Sequence, residues 1–200
     1  MAEARARGAE PRAPDRTIEA LEALRDHAPD ATVLTWGTPM GASEARAAGF
    51  EPDVLGDPGA EETTAADTRR AVRAFDDAGV DLVLFVGGDG TAQDVVAALE
   101  AADALEDVPA LGVPAGVKIF SSVFAYTPRE AGRIAATFVR TEHREVMDID
   151  EEAYREGEVK SELRGVLRVP VGEEVQSSKQ LAGGTIESLA EGFAADVQPE

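Results

Sequence analysis

Leu82, Val83, Leu84, Phe85 and Val86 run without a polar break into Gly87, Gly88, Asp89, Gly90 and Thr91, and this junction narrows the possible folds more than any other part of the chain. An uninterrupted apolar strand fits a parallel sheet covered on both faces, whereas a strand with one wet face alternates. Beyond the junction Val95, Val96, Leu99 and Ala102 recur at helical spacing, so a helix opened by Thr91 is expected to pack on that sheet. Ligands of such sheets sit past the carboxyl ends of the strands. There the helix N-terminus offers unpaired N–H groups and a positive dipole end, and the glycines allow close backbone approach, which together suit a phosphate. Asp89 is the odd member. A carboxylate repels phosphate unless it binds a metal ion or takes a proton in a reaction. The plainer alternative is a tight strand-to-helix turn with Asp89 as a local cap. Its expected place on an exposed loop assigns it chemistry rather than folding.

The rest of the first 141 residues alternates between the two periodicities. Residues 1–16 read as loop, interrupted by Gly8, Pro11 and Pro14; a helix from Thr17 buries Ile18, Leu21 and Leu24 and ends before Pro29. Residues 31–36 read as a strand, 43–48 as a short helix and 53–55 as a short strand. A helix over about 64–78 turns Val72 and Phe75 inward and stops at Gly79; a strand follows at 110–113. Thr127, Pro128 and Glu130 have the pattern of a capping box with proline at the first helical position, ahead of Ala131, Ile134, Ala135, Phe138 and Val139 on one face. Alternating strands and helices give an open, three-layer, Rossmann-like α/β sheet. After residue 141 the pattern changes: 145–149 reads as a strand, and Leu163, Leu167, Val169 and Val171 alternate with Arg164, Arg168 and Pro170, as in a strand with one wet face. The expected division is therefore loop at 1–16, an α/β domain carrying the phosphate site at 17–141 and a separate stretch with strands at 142–200.

Lys118 follows a Pro-Ala-Gly turn after the strand at 110–113, which puts its ammonium on the same rim as the glycine loop, where it would pair with phosphate; a solvated surface lysine is the competing reading. Ser121 and Tyr126 are lesser candidates for that rim. Asp148 and Asp150 would share one face of a strand, but most such pairs are simply solvated, and no metal site is assigned.

The string G-G-D-G-T resembles the loop shared by NAD kinases, diacylglycerol and sphingosine kinases, and phosphofructokinases. The resemblance implies that Asp89 is the catalytic carboxylate and that Gly87, Gly88, Gly90 and Thr91 contact nucleotide phosphates. The string from Gly112 to Lys118, with Ser121, Val123, Phe124, Ala125, Thr127 and Pro128 after it, is similar to a divergent branch of predicted ATP- or polyphosphate-dependent NAD kinases, which includes the protein X of acetoin catabolism clusters. The G-T-G-N-D segment of lipid kinases and the Asn-Glu pair of standard NAD kinases are both missing, since the chain has no asparagine. Gly37, Thr38, Pro39, Met40 and Gly41, and Gln176, Ser177, Ser178 and Lys179, match more weakly, so that the resemblance spans most of 17–180. It implies transfer of phosphate from ATP or polyphosphate to NAD with Mg²⁺, Lys118 among the nucleotide contacts, and makes 17–141 a nucleotide-binding α/β domain and 142–200 a partial β-rich second domain. Members of that branch extend further at both ends, so a truncated product is expected here. A lipid or small-alcohol kinase and a non-catalytic nucleotide-binding module remain as alternatives.

Charge bounds the partners. Thirty-nine acidic against 19 basic residues give a net −20, and the acidic groups are spread along the chain rather than gathered in a tail. Such a field repels nucleic acid and anionic membranes and leaves small nucleotides at a local site as the expected partners, with a homo-oligomer open. Scattered acidity with only three lysines fits a protein of an extreme halophile, where a Debye length of about 3 Å at 1 M salt screens the self-repulsion. With no cysteine, disulfides and thiolate chemistry are excluded, and His27 and His143 form no metal-ligand spacing. No signal-peptide core precedes the first strand, so a cytoplasmic location is expected.

Overall fold

The computed structural model describes residues 12–60, 62–115, 119–149 and 161–171. In chain order they form α1 (Ala13–His27), β1 (Leu34–Thr35), α2 (Ala42–Ala47), β2 (Asp53–Val54), α3 (Ala65–Asp77), β3 (Val83–Gly87), α4 (Asp89–Ala101), β4 (Ala110–Pro114), α5 (Pro128–Thr137), β5 (Thr141–Ile149) and β6 (Ser161–Pro170). β1 pairs parallel with β2, and β3 pairs parallel with β4 from Val83↔Ala110 to Gly87↔Pro114. β5 and β6 pair antiparallel. Among the described residues the ladders join strands only in these pairs.

The main apolar cluster lies around β3 and β4. Val83 and Phe85 point into it, and Leu111 and Val113 of β4 are fully buried. Val95, Val96 and Leu99 of α4 close it from one side, as their spacing predicts. Gly112 makes the centre possible: a Cβ there would stand 2.3 Å from the Phe124 ring. That ring meets Phe85 edge-on at 5.3 Å between centroids. The Gly112 N–H donates to the Val123 carbonyl at 2.8 Å and its carbonyl accepts the Ala125 N–H at 3.0 Å, so the stretch around Phe124 runs alongside β4, a strip the periodicity did not announce. Ala20, Ala23 and Gly132 bring α1 and α5 together so closely that a Cβ on Gly132 would lie 1.9 Å from the Ala20 carbonyl oxygen.

Several boundaries move. α1 starts at Ala13, four residues before the expected Thr17, because Pro14 falls in the first turn where proline is tolerated; the Thr17 hydroxyl donates back to the Ala13 carbonyl at 2.8 Å instead of capping. α3 keeps its expected span, with the Thr64 N–H and hydroxyl each donating to Asp67 at 2.8 Å and Gly79 turning to φ 70° past its end. At α5 the Thr127 hydroxyl accepts the Glu130 N–H at 3.1 Å, the forward half of the capping box, while the Glu130 carboxylate pairs with Arg133. The helix ends at Thr137, earlier than expected, since Phe138 turns to extended backbone towards β5; Val139 is consequently 94% exposed rather than inward.

β5 is longer than the sequence suggests, and the register of the antiparallel pair slips between Val146 and Met147. Gly165, Leu167 and Val169 keep to the inner face; a Cβ on Gly165 would meet Val96 of α4 at 2.5 Å. The slip leaves Arg164 as the additional residue and turns Leu163 outward, 54% exposed, against the expectation from simple alternation.

Candidate functional site

The glycine junction is built as strand, turn and helix, with one shift in frame. α4 begins at Asp89, not at Thr91: Gly88 is its cap, extended at φ −135°, and Asp89, Gly90 and Thr91 occupy the first turn. The Thr91 and Ala92 N–H groups return to the Gly88 carbonyl at 3.0 and 3.1 Å. Those of Asp89 and Gly90 have no bond among the described residues, as the start of a helix dictates.

The three glycines have different physical reasons. A Cβ on Gly87 would strike the Thr91 side chain, 2.2 Å from its hydroxyl oxygen, so Gly87 is required for Thr91 to fold back on the strand end. Gly88 and Gly90 have no such neighbour among the described residues: a Cβ on either would meet none of their atoms within 4 Å, and neither has a positive φ. Their small size therefore leaves open space directly over two unpaired N–H groups and the positive end of α4, a cradle that suits an oxyanion.

Asp89 is half-buried, not on an exposed loop, and its carboxylate is already engaged. Oδ2 accepts the Phe120 N–H at 3.0 Å and Oδ1 accepts the Ser121 N–H at 2.9 Å. Asp89 thereby fastens the helix start to the segment that follows β4. This corrects the expectation that it would have no part in folding. Two of the roughly four lone-pair directions of the carboxylate are used, and two remain for a proton or a cation.

The segment held by Asp89 is itself anchored. Ser121 and Ser122 are 2% and 1% exposed. The Ser121 hydroxyl accepts the Met147 N–H at 3.0 Å, and the Gln93 side-chain amide of α4 donates to the Met147 carbonyl at 3.3 Å. The Ser122 hydroxyl bonds both the carbonyl and the N–H of Glu145, at 3.2 and 3.1 Å. Phe120, Gln93 and Met147 escaped the sequence reading; a pair of serines inside the apolar run from Ile119 to Phe124 was the available signal, because buried hydroxyls need partners.

Of the predicted site residues, Gly87, Gly88, Asp89, Gly90 and Thr91 come together at the carboxyl end of β3. Lys118 lies outside the described residues, as does Asp150. Tyr126 is 54% exposed, and Asp148 pairs with Arg164 at 2.6 Å. Among the described residues no three His, Asp or Glu side chains gather as a metal-binding group. Among the same residues no helix is long and apolar enough to cross a membrane.

Residues 5–143 match the ATP-NAD kinase N-terminal domain. No curated protein matches the chain. Among solved structures, a chain from the complex titled "Crystal Structure of the TorS sensor domain - TorT complex in the absence of ligand" is similar at 11% identity and a TM-score of 0.34, over 83% of this chain and 60% of that one, a likeness too slight to bear on fold or function.

Proposed function

Because the chain belongs to the ATP-NAD kinase family, we propose that it phosphorylates NAD to NADP at the carboxyl end of β3, with Asp89 as the catalytic carboxylate. The observation that carries the placement is the open space over Gly88 and Gly90 at the start of α4, beside a carboxylate with lone pairs to spare. In this reading the N–H groups of Asp89 and Gly90 bind nucleotide phosphate, Gly87 and Thr91 shape the turn beneath it, and Lys118 adds a cation. Asp89 orients the acceptor hydroxyl and takes its proton. Mg²⁺, when bound, screens phosphate charge.

The finer reading extends the family assignment. The donor is ATP or polyphosphate, as in the divergent branch that the segment from Gly112 to Pro128 resembles. β1 to β4 are pieces of an open three-layer Rossmann-like sheet, and β5 with β6 begin a second, β-rich domain after residue 141. The partners are small nucleotides rather than nucleic acid or membrane, with a homo-oligomer allowed, and the location is cytoplasmic. The net −20 charge marks a salt-adapted protein; thermal unfolding should shift upward between about 0.1 and 2 M KCl, and a flat or falling midpoint would remove this part of the reading.

The deciding experiment incubates the chain in molar KCl with NAD, Mg²⁺ and either ATP or polyphosphate, and quantifies NADP. Asp89→Asn should lower kcat by roughly 10²- to 10⁴-fold. Phosphorylation of a lipid in place of NAD would assign the other kinase class. Nucleotide binding without turnover would assign a regulatory module.

A further inference from the structure

Asp89 does not aim itself. Its two carboxylate oxygens are held by the N–H groups of Phe120 and Ser121, at 3.0 and 2.9 Å, so the carboxylate lies wherever that short segment lies. The segment is not fixed by β4 alone. The Ser121 hydroxyl, 2% exposed, accepts the Met147 N–H, and the other side of the same residue, its carbonyl, is held by Gln93 from α4. Met147, like Glu145 two residues before it, turns its peptide N–H and carbonyl to the edge of β5 away from β6, where they need partners from other parts of the chain. Two polar side chains from two other elements meet that need. One of them carries, on its own backbone N–H, the hydrogen bond to Asp89.

We infer that Ser121 is a positioning residue for Asp89, and that the edge of β5 at Met147 sets the aim of the carboxylate through it. The inference rests on the catalytic reading of Asp89. The relay runs from the Met147 N–H to the Ser121 hydroxyl, then from the Ser121 N–H to the Asp89 carboxylate, with Gln93 bracing the Met147 carbonyl from the helix that Asp89 begins. Ser122 supplies an internal comparison. It is equally buried and equally bonded to β5, through Glu145, yet its own N–H goes to the Glu145 carbonyl and not to Asp89.

The test compares Ser121→Ala, Gln93→Met and Ser122→Ala with the unsubstituted chain, by steady-state NAD phosphorylation and by amide hydrogen exchange at Phe120 and Ser121. Ser121→Ala should lower kcat about 10-fold or more while KM for NAD stays within about 2-fold, because the nucleotide contacts survive and only the aim of the carboxylate is lost. Gln93→Met should lower kcat less, and the double variant should fall short of the product of the two, since both hold one peptide unit. Exchange at the Phe120 and Ser121 amides should quicken at least 10-fold in Ser121→Ala. Ser122→Ala should show neither effect, even if it melts as early. Should Ser121→Ala match Ser122→Ala in kcat and exchange while Asp89→Asn is inactive, the relay is overturned and the catalytic reading stands. Full activity of Asp89→Asn, or no turnover by the unsubstituted chain, overturns the catalytic reading and the relay with it.

Discussion

Two glycine-rich loops leave the carboxyl ends of parallel strands in this protein, and their glycines answer to opposite demands. After β1, Gly37 has the Asp57 carboxylate 2.6 Å from its would-be Cβ, and a Cβ on Gly56, just past β2, would stand only 2.2 Å from the Trp36 ring. The Gly37 N–H donates to the Gly56 carbonyl at 2.7 Å, and Gly41 needs a φ of 122° to enter α2. That loop is full. After β3, among the described residues, only Gly87 is constrained by a neighbour, while Gly88 and Gly90 border open space in ordinary backbone conformations. Glycine abundance in itself therefore says little about ligands. Glycine with nothing beside it, at the start of a long helix, is what separates a cradle from a packed turn.

Adding one methyl group to each loop should break the comparison or sharpen it. The largest effect on stability is expected from Gly56→Ala, which has no room beside Trp36 and should cost about 1–3 kcal/mol in denaturant unfolding; a loss under about 0.5 kcal/mol would mean that the β1 loop is no fuller than the β3 loop. Gly90→Ala should do the reverse. It lies in the first turn of α4 with free space around it, so the protein should gain about 0.5–1 kcal/mol while NAD phosphorylation drops, since the methyl group enters the cradle. A stabilised variant of unchanged activity would show that nothing binds over Gly90.

The smallest effect concerns acid. Hydrogen bonds from the Thr64 hydroxyl, then from its N–H, with the Arg70 guanidinium nearby, hold the Asp67 carboxyl below its ordinary value. Arg70 also donates to the Pro58 carbonyl at 3.1 Å, tying α3 to the loop after β2. A folded pKa depressed below the unfolded value gives stability that is present above about pH 4 and lost as pH falls through the folded value. Between pH 5 and 3 the midpoint of thermal unfolding should thus fall more in the unsubstituted chain than in Asp67→Asn, and parallel curves would remove Asp67 from the account.

Much of the fold was legible because its causes are local. The strand from Leu82 to Val86, the cap at Thr127 and the inward face of Val95, Val96 and Leu99 each follow from neighbours in sequence, and the structure keeps all three. What escaped depends on residues far apart. The Asp89 carboxylate meets amides more than thirty positions away, and no spacing rule connects Gln93 and Ser121 with Met147. Leu163 was assigned inward by strict alternation, which a single additional residue is enough to reverse. Val139 fell on the right face of a helix that had already ended.

Trp36 has an optical consequence. It is the chain's one tryptophan, 8% exposed and stacked over Gly56, so fluorescence excited at the red edge of aromatic absorption reports a single buried indole at the mouth of β1 and β2. Its emission in the folded protein should be blue-shifted and should redden when the β1 loop opens, which follows that loop alone in a titration with acid or denaturant. A change in emission on adding NAD or ATP would show that binding over Gly88 and Gly90 is felt at the packed loop.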